Sequence, residues 1–245
     1  MGFEHAIRAS QGARNYQEDA AAVKQDATGM IAVLADGMGG HAGGAVASDL
    51  ATASFITGFI SAAGDVEARL LEALEDANAA IAYKTLEAPD LSGMGCTLVG
   101  VAFAPEGIDW VSVGDSPLYL LREGRIARLN QDHSLAPEID RLAEIGRISW
   151  EEARAHPHRH VLRSAITGSE IDLLDCSQAP LAIQAGDVLI LASDGIHTIS
   201  EAEIEQIVGA AATPHEAAEG LLAAVAAANH PHQDNTTLVV VRITP

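Results

Sequence analysis

Acidic residues stand at the ends of several apolar segments in this sequence. The segments IAVLADGM and VLILASDGI each run from an apolar stretch into an Asp-Gly pair, at residues 36–37 and 194–195. A third apolar segment, WVSVGDS, ends in Asp115, and Asp234 begins the last one in HQDNTTLVVV. A single Asp-Gly pair usually marks a turn. The repeated pattern instead predicts that several carboxylates meet at one edge of the fold, where strands end.

Carboxylates grouped in this way repel one another, and burial raises the cost, unless cations hold them. Carboxylate oxygens, and the carbonyl oxygens of the glycines that follow the acids, are hard ligands that suit Mg²⁺ or Mn²⁺ better than zinc. Two such ions about 3.5–4 Å apart can clamp a phosphoryl group for in-line attack by a bridging hydroxide. The pattern therefore predicts a two-metal site, with Asp36 as the ligand that bridges both ions.

A further charged segment lies before a predicted strand near the N-terminus. In RNYQED, residues 14–19, a guanidinium precedes two acids. Arginine binds phosphate through two parallel hydrogen bonds. We therefore expect Arg14 to contact a substrate phosphate, beside Glu18 and Asp19.

The glycine-rich segment after Asp36 admits other interpretations. Residues 37–42, GMGGHA, follow an apolar strand and precede a helical pattern, as in the dinucleotide-binding fingerprint. Asp36 would then place a carboxylate beside the pyrophosphate, and no acid stands at residues 55–59, where the ribose ligand is expected. A dinucleotide-binding oxidoreductase would need tight NAD binding without that acid. A plain glycine turn between strand and helix is the structural alternative.

The composition restricts the class of protein. The chain has 245 residues, of which 48% are hydrophobic, which is enough for one large domain. Its formal net charge of -20 argues against nucleic acid or an anionic membrane as a partner. Cys96 and Cys176 lie outside any C-x-x-C, which predicts reduced thiols and a cytoplasmic protein. We expect no signal peptide and no apolar run near the ~20 residues of a membrane span.

Hydrophobic periodicity predicts groups of strands separated by pairs of helices. Strands are predicted at 3–9, 20–24, 30–35, 97–104, 108–114, 118–129, 173–179, 187–193 and 236–243, and a turn at Glu123-Gly124 breaks the one at 118–129. Helices are predicted at 46–60 and 66–81, after capping signals at Ser200 and Thr213, and within a polar excursion at 136–165. This order predicts two packed sheets with helices outside, an α+β fold.

Eight stretches, in chain order, carry a family resemblance. They are GARNYQEDA, VLADGMGGHAGG, GCTLVGV, VGDSPLYLLREGRI, NQDHSLAPEIDRL, GRISWEEARAHPHRHVLRSAITG, GDVLILASDGIHTIS and QDNTTLVVV. Together they resemble the metal-dependent Ser/Thr protein phosphatases of the protein phosphatase 2C type, in their bacterial form. The resemblance covers essentially the whole chain. It implies a four-layer α/β/β/α sandwich, with two central antiparallel sheets flanked by helix pairs, as one catalytic domain at 1–245 with a flap at about 136–165.

The same resemblance implies hydrolysis of phosphoserine and phosphothreonine in proteins by a metal-activated water at a dinuclear Mn²⁺ or Mg²⁺ centre. In the family pattern Asp36 bridges the two ions, and the Gly37 carbonyl binds one of them. Asp194 and Asp234 complete the coordination of the other ion. Arg14, Asp36 and Asp194 are thus the expected catalytic residues.

The remaining roles also come from the resemblance. Glu18 and Asp19 would act mainly through metal-bound water, and Arg14 would hold the substrate phosphate. Asp115, together with Asp194, would form the third metal site of bacterial members.

The sequence departs from the family pattern at three positions. Pro117 stands where arginine is usual, and Gln17 stands where asparagine is common. Met38 holds the place of the histidine that acts as general acid in the eukaryotic branch, and His41 lies nearby but not at that position. For His41 we leave open proton transfer and a role in ordering the loop.

The resemblance further implies phosphorylated proteins as substrates, a cognate bacterial Ser/Thr kinase as partner, and a monomer. The alternative from another class is a pseudophosphatase, a module that binds phosphoproteins without turnover.

Overall fold

The strands form two antiparallel sheets that pack face to face. The computed structural model describes residues 1–25, 29–39, 42–104 and 106–245. The strands are β1 (Gly2–Ser10), β2 (Asp19–Gln25), β3 (Met30–Met38), β4 (Gly95–Cys96), β5 (Leu98–Ala104), β6 (Gly107–Val113), β7 (Leu118–Arg122), β8 (Arg125–Arg128), β9 (Asp175–Cys176), β10 (Val188–Ala192) and β11 (Thr236–Thr244). One sheet has the order β1-β11-β10-β7-β8 and the other β2-β3-β5-β6-β9, with β4 paired to β3.

Helices cover the outer face of each sheet. They are α1 (Ala42–Ser61), α2 (Val66–Glu87), α3 (Ala136–Glu144), α4 (Trp150–Arg154), α5 (Glu201–Ala210) and α6 (Pro214–Ala227), with 3-10 helices at Pro89–Leu91 and Asp194–Thr198. Helices α1 and α2 pack on the sheet that contains β3, and α5 and α6 pack on the sheet that contains β11. A third apolar cluster fills the space between the sheets. The predicted four-layer α+β sandwich is confirmed.

Strand β3 shows why the central strands are unbroken apolar runs in the sequence. Ile31, Val33 and Ala35 face α1 and α2, whereas Ala32 and Leu34 face the opposite sheet. Successive side chains of a strand point to opposite faces, so a strand covered on both sides needs apolar residues at every position. This buried strand carries Asp36 at its end, and it fixes where that carboxylate lies.

Element boundaries follow the prediction in part. The predicted turn at Glu123-Gly124 is confirmed, since the segment at 118–129 is the hairpin β7–β8, whose turn has positive φ at both residues, 53° and 75°. The strand predicted at 173–179 shrinks to β9, because only Asp175 and Cys176 pair with the neighbouring strand. The excursion at 136–165 contains α3 and α4, which share a small apolar cluster of their own.

Helix α1 reaches the length and composition of a membrane span over Gly43–Ser61, contrary to the expectation that no segment would. Half of that window is buried inside the protein. Its Ala47, Ala51 and Phe55 side chains are fully buried against the sheet. A core helix meets the same length test, and the packing of α1 is that of a core helix.

Replacing Gly100 with alanine should destabilise the fold. A Cβ atom at Gly100 of β5 would lie 2.2 Å from Cζ of Phe55, a residue of α1 whose ring is fully buried against the sheet. Such overpacking costs about 1–3 kcal/mol, because neither the strand nor the ring has room to move. Urea unfolding in EDTA would measure the change. The control is Gly209→Ala in α5, where no atom lies within 4 Å of the new Cβ and alanine should add about 0.5–1 kcal/mol. Equal midpoints for the two variants would contradict the packing argument.

Candidate active site

The predicted acids come together because strands of both sheets end at the same edge of the sandwich. In the β2–β3 register Asp19 lies opposite Asp36. Asp115 follows β6, and Asp194 begins the 3-10 helix just after β10. Asp234 lies just before β11, which pairs with β10. Residues far apart in the sequence thus share one small region.

A cavity of about 730 Å³ opens at this edge. Of the eight residues predicted for the site, seven line it: Arg14, Glu18, Asp36, Gly37, Asp115, Asp194 and Asp234. Asp19 lies behind this lining, where its Oδ2 accepts a 2.8 Å hydrogen bond from the hydroxyl of Ser193. Met38 also lines the cavity, whereas His41 lies outside the described residues.

Asp36 and Gly37 are held by their backbones. Thr97 accepts from the Asp36 amide through its hydroxyl at 3.1 Å and donates its own amide to the Asp36 carbonyl at 2.9 Å. The Gly37 amide donates to the carbonyl of Glu18 at 3.1 Å. A Cβ at Gly37 would lie 2.3 Å from the carbonyl oxygens of both Glu18 and Gly44. No residue larger than glycine fits at this position.

Four carboxylates of the site have raised pKa values in the absence of cations. Burial, followed by the charges of Asp194, Asp19 and Asp115, holds the pKa of Asp36 well above its usual value. Burial also raises the pKa of Asp194, with Asp234 as the largest charge effect. Burial is the main cause that raises the pKa of Asp19 to about 6 and that of Asp115 to about 7.

This donor set fits a hard divalent cation. The Glu18 Oε1 atom is buried without a hydrogen-bond partner, as expected of a carboxylate placed to face a cation or its water. Among the described residues no three His, Cys, Asp or Glu side chains enclose a single point. An ion at this edge would therefore keep several waters, which is the usual state of Mg²⁺ in proteins.

Arg14 lies at the rim of the cavity. Its Nη2 is 2.5 Å from Oδ2 of Asp234, and its side chain is half exposed. The backbone around it is fixed, because the Ala13 amide donates to the Gln233 carbonyl and the Gln11 side chain donates to the Arg14 carbonyl. The guanidinium is thus held beside the carboxylates, open to a ligand that enters from solvent.

Several residues that fix the acids in place by hydrogen bonds were not predicted from the sequence. The Asn235 side chain accepts from the Glu18 amide at 2.8 Å and donates to the carbonyls of Gln11 and Tyr16. Ser193 donates to Asp19 and accepts from the Thr237 amide. These polar residues are buried directly beside acids at strand ends, and that adjacency is the signal that could have identified them.

One departure from the family pattern, Pro117, and two histidines, His133 and His160, lie close to the site. The carbonyl of Pro117 accepts from the Ala192 amide, so the proline is built into the edge where β10 ends. His133 is buried, its Nδ1 accepts from the Gly114 amide at 3.2 Å, and burial lowers its pKa. It holds the residue next to Asp115. His160 of the HPHRH segment lines the cavity, whereas His156 and His158 do not.

Comparison with known proteins gives consistent similarities. The family model "Protein phosphatase 2C" matches residues 8–228, a range that ends before Asp234. The serine/threonine protein phosphatase PstP of Mycobacterium tuberculosis is 40% identical over 168 residues, which is 68% of this chain but only 31% of that protein. The serine/threonine phosphatase stp of Listeria innocua is 34% identical, over 86% of this chain and 83% of its own.

A solved structure shows the same similarity in three dimensions. The catalytic domain of PstP in complex with two manganese ions superposes with a TM-score of 0.81 at 34% identity, and 99% of each chain is covered.

Proposed function

Because this chain belongs to the protein phosphatase 2C family, we propose that it hydrolyses phosphoserine and phosphothreonine in proteins with the help of divalent metal ions. The observation that carries the proposal is the group of buried and half-buried carboxylates around Asp36, in a cavity with Arg14 at its rim. Buried carboxylates with raised pKa values are costly unless cations bind them. Relatives along most of the chain are named Ser/Thr phosphatases, which supports the same activity.

We assign the ligands by family position and by their place in the cavity. Asp36, the Gly37 carbonyl, Asp194 and Asp234 would hold two ions, with Asp36 shared between them. Glu18 and Asp19 would act mainly through water on these ions, and Asp115 with Asp194 would hold a third ion. The ions, when bound, lower the pKa of water and neutralise charge on the phosphoryl group.

The other residues keep this arrangement fixed before substrate arrives. Thr97 anchors the backbone of Asp36, Asn235 anchors that of Glu18, and Ser193 orients the Asp19 carboxylate. Arg14 receives the substrate phosphate and must leave Asp234 in part to do so. Such preorganisation means that little rearrangement is needed as charge develops.

Hydrolysis of a phosphothreonine peptide by the purified protein tests the proposal. Manganese is titrated in, magnesium is tested in parallel, and EDTA is the control. Metal-dependent release of phosphate is expected, with phosphoserine accepted as well. Binding of manganese and of the peptide without any turnover would support the pseudophosphatase instead.

Arg14→Ala should weaken phosphate binding. Removal of a bidentate, charge-assisted contact is expected to lower kcat/KM about 10–100-fold, and Arg14→Lys should recover only part, because an ammonium group cannot make two parallel hydrogen bonds. The comparison uses Arg141→Ala, an exposed arginine on α3, which should leave kcat/KM unchanged. Inhibition by free phosphate should weaken in parallel, and normal phosphate inhibition in Arg14→Ala would contradict the role.

The domain organisation and the partners are proposals as well. Residues 1–245 act as one catalytic domain, with residues 136–165 as a flap built on α3 and α4. A cognate Ser/Thr kinase supplies the phosphoproteins that this enzyme resets, and the protein acts as a monomer. Two free thiols, Cys96 and Cys176, support a cytoplasmic location. Co-purification of a kinase and light scattering of the pure protein are the direct tests.

A further inference from the structure

One wall of the cavity is a loop between the flap and β9. Thr167 and Ser169 line the cavity from this loop, and both are exposed. Neither residue belongs to the group of acids. They are therefore placed to contact the part of a substrate that surrounds the phosphate.

The amide group of Asn78 holds this loop on α2. Its Oδ1 accepts from the Gly168 amide at 2.8 Å, and its Nδ2 donates to the Ser169 carbonyl at 2.7 Å. Both ends of one side-chain amide thus bind backbone groups of two adjacent residues, about 90 residues away in the sequence. Two bonds from one rigid group fix the orientation of the loop as well as its distance.

A second observation shows that this loop packs closely against α2. Gly168 has φ of +81°, and a Cβ there would lie 2.6 Å from Cα of Ala82, one helical turn after Asn78. On its other side the loop pairs with β4, since Ile166 and Cys96 exchange both backbone hydrogen bonds. Cys96 in turn pairs with Gly37. The loop is held between α2 and the strand that adjoins Asp36.

We propose that Asn78 is a positioning residue that fixes Thr167 and Ser169 for the peptide segment of a phosphoprotein substrate. The proposal rests on the proposed phosphatase function. Helix α2 is a firm support, because Ala77 and Ile81, on either side of Asn78, are fully buried. A loop that is already ordered spares the ordering cost when a peptide binds. A small phosphate monoester, which touches only Arg14 and the metal ligands, gains nothing from that order.

The test compares Asn78→Ala with the wild-type protein on two substrates. For a phosphothreonine peptide, KM should rise about three- to tenfold with kcat within about twofold, because two hydrogen bonds that order the wall are lost. For p-nitrophenyl phosphate both constants should stay unchanged, as should the manganese concentration for half-maximal activity. Gly168→Ala, which disturbs the same contact from the loop side, should give the same split. Glu75→Ala, at an exposed position on α2, is the control.

Three kinetic results would overturn the inference. These are an unchanged peptide KM in Asn78→Ala, an equal loss on both substrates, or a weaker response to manganese. Hydrogen exchange at the Gly168 amide should also become faster in Asn78→Ala. Unchanged protection of that amide would contradict the proposed role of Asn78 in holding the loop. Without turnover in the wild-type protein the proposed function fails. Anisotropy with a labelled phosphopeptide then decides the inference alone: equal affinity of wild type and Asn78→Ala overturns it, and weaker binding by the variant supports it.

Discussion

Asp36→Asn is expected to lower kcat/KM for a phosphothreonine peptide by about 10³-fold, which is roughly 4 kcal/mol of transition-state stabilisation. An asparagine keeps the shape of the side chain but supplies one neutral oxygen where we propose that a carboxylate bridges two cations. The backbone hydrogen bonds with Thr97 do not depend on the carboxylate, so the edge should fold as before. Steady-state kinetics across a manganese titration measure the effect.

The same substitution should make the metal-free protein more stable. The pKa of Asp36 is raised because its charge is buried among other acids, and the neutral amide removes that repulsion. Thermal unfolding in EDTA should therefore show a higher Tm for Asp36→Asn, whereas Asp90→Asn, at an exposed position, should leave Tm and activity unchanged. Near-normal turnover in Asp36→Asn, or a lower Tm in EDTA, would count against a buried metal-binding carboxylate.

Metal-free protein should lose stability as the pH rises from about 5 to 8, and manganese should restore it. Asp19 and Asp115 have pKa values of about 6 and about 7 in the folded protein, against about 3.9 in an unfolded chain. Between those values the folded state binds more protons than the unfolded state. The free energy of unfolding therefore falls with pH in this window, and the fall ends once the folded groups have lost their protons.

Cations should take the place of the lost protons. At pH 7.5, manganese at about 100 times its Kd adds about 2.7 kcal/mol per ion, or about 5–10 °C in Tm. Urea unfolding in EDTA at several pH values, and thermal unfolding with and without manganese, give both numbers. In Asp36→Asn combined with Asp115→Asn, the pH slope should flatten and the manganese effect should shrink. Stability in EDTA that stays flat or rises from pH 5 to 8 would contradict the prediction.

The order of strands and helices and the gathering of the acids followed from the sequence. The first six residues of β3, 30–35, are all apolar because both faces of the strand are covered there. Asp36 ends that run at the point where the strand leaves the core. Asp115, Asp194 and Asp234 show the same transition at other strand ends. Their roles as ligands stay predictions, but the structure places all of them in one cavity.

The hydrogen-bond partners of the supporting residues could not be predicted from the sequence, for a physical reason. Asn235 binds Glu18, 217 residues away, and Asn78 binds Gly168, 90 residues away. Such hydrogen bonds leave no periodicity, because they depend on how whole layers pack and not on the spacing of neighbours. The strand predicted at 173–179 was too long, because only Asp175 and Cys176 pair with β6.

The pairing of β1 with β11 also sets the order of events during synthesis. The register joins Gly2 to Thr244 and Ser10 to Thr236, so β1 leaves the ribosome long before its partner β11 and waits for it. Until then β10 also lacks one of its two neighbouring strands, and its unpaired edge stays open to association with other chains. Folding dominated by such distant pairings is slow. Asp234 lies directly before β11, so a nascent chain that has not yet reached this segment lacks one of the acids that we propose as metal ligands, and we expect it to be inactive.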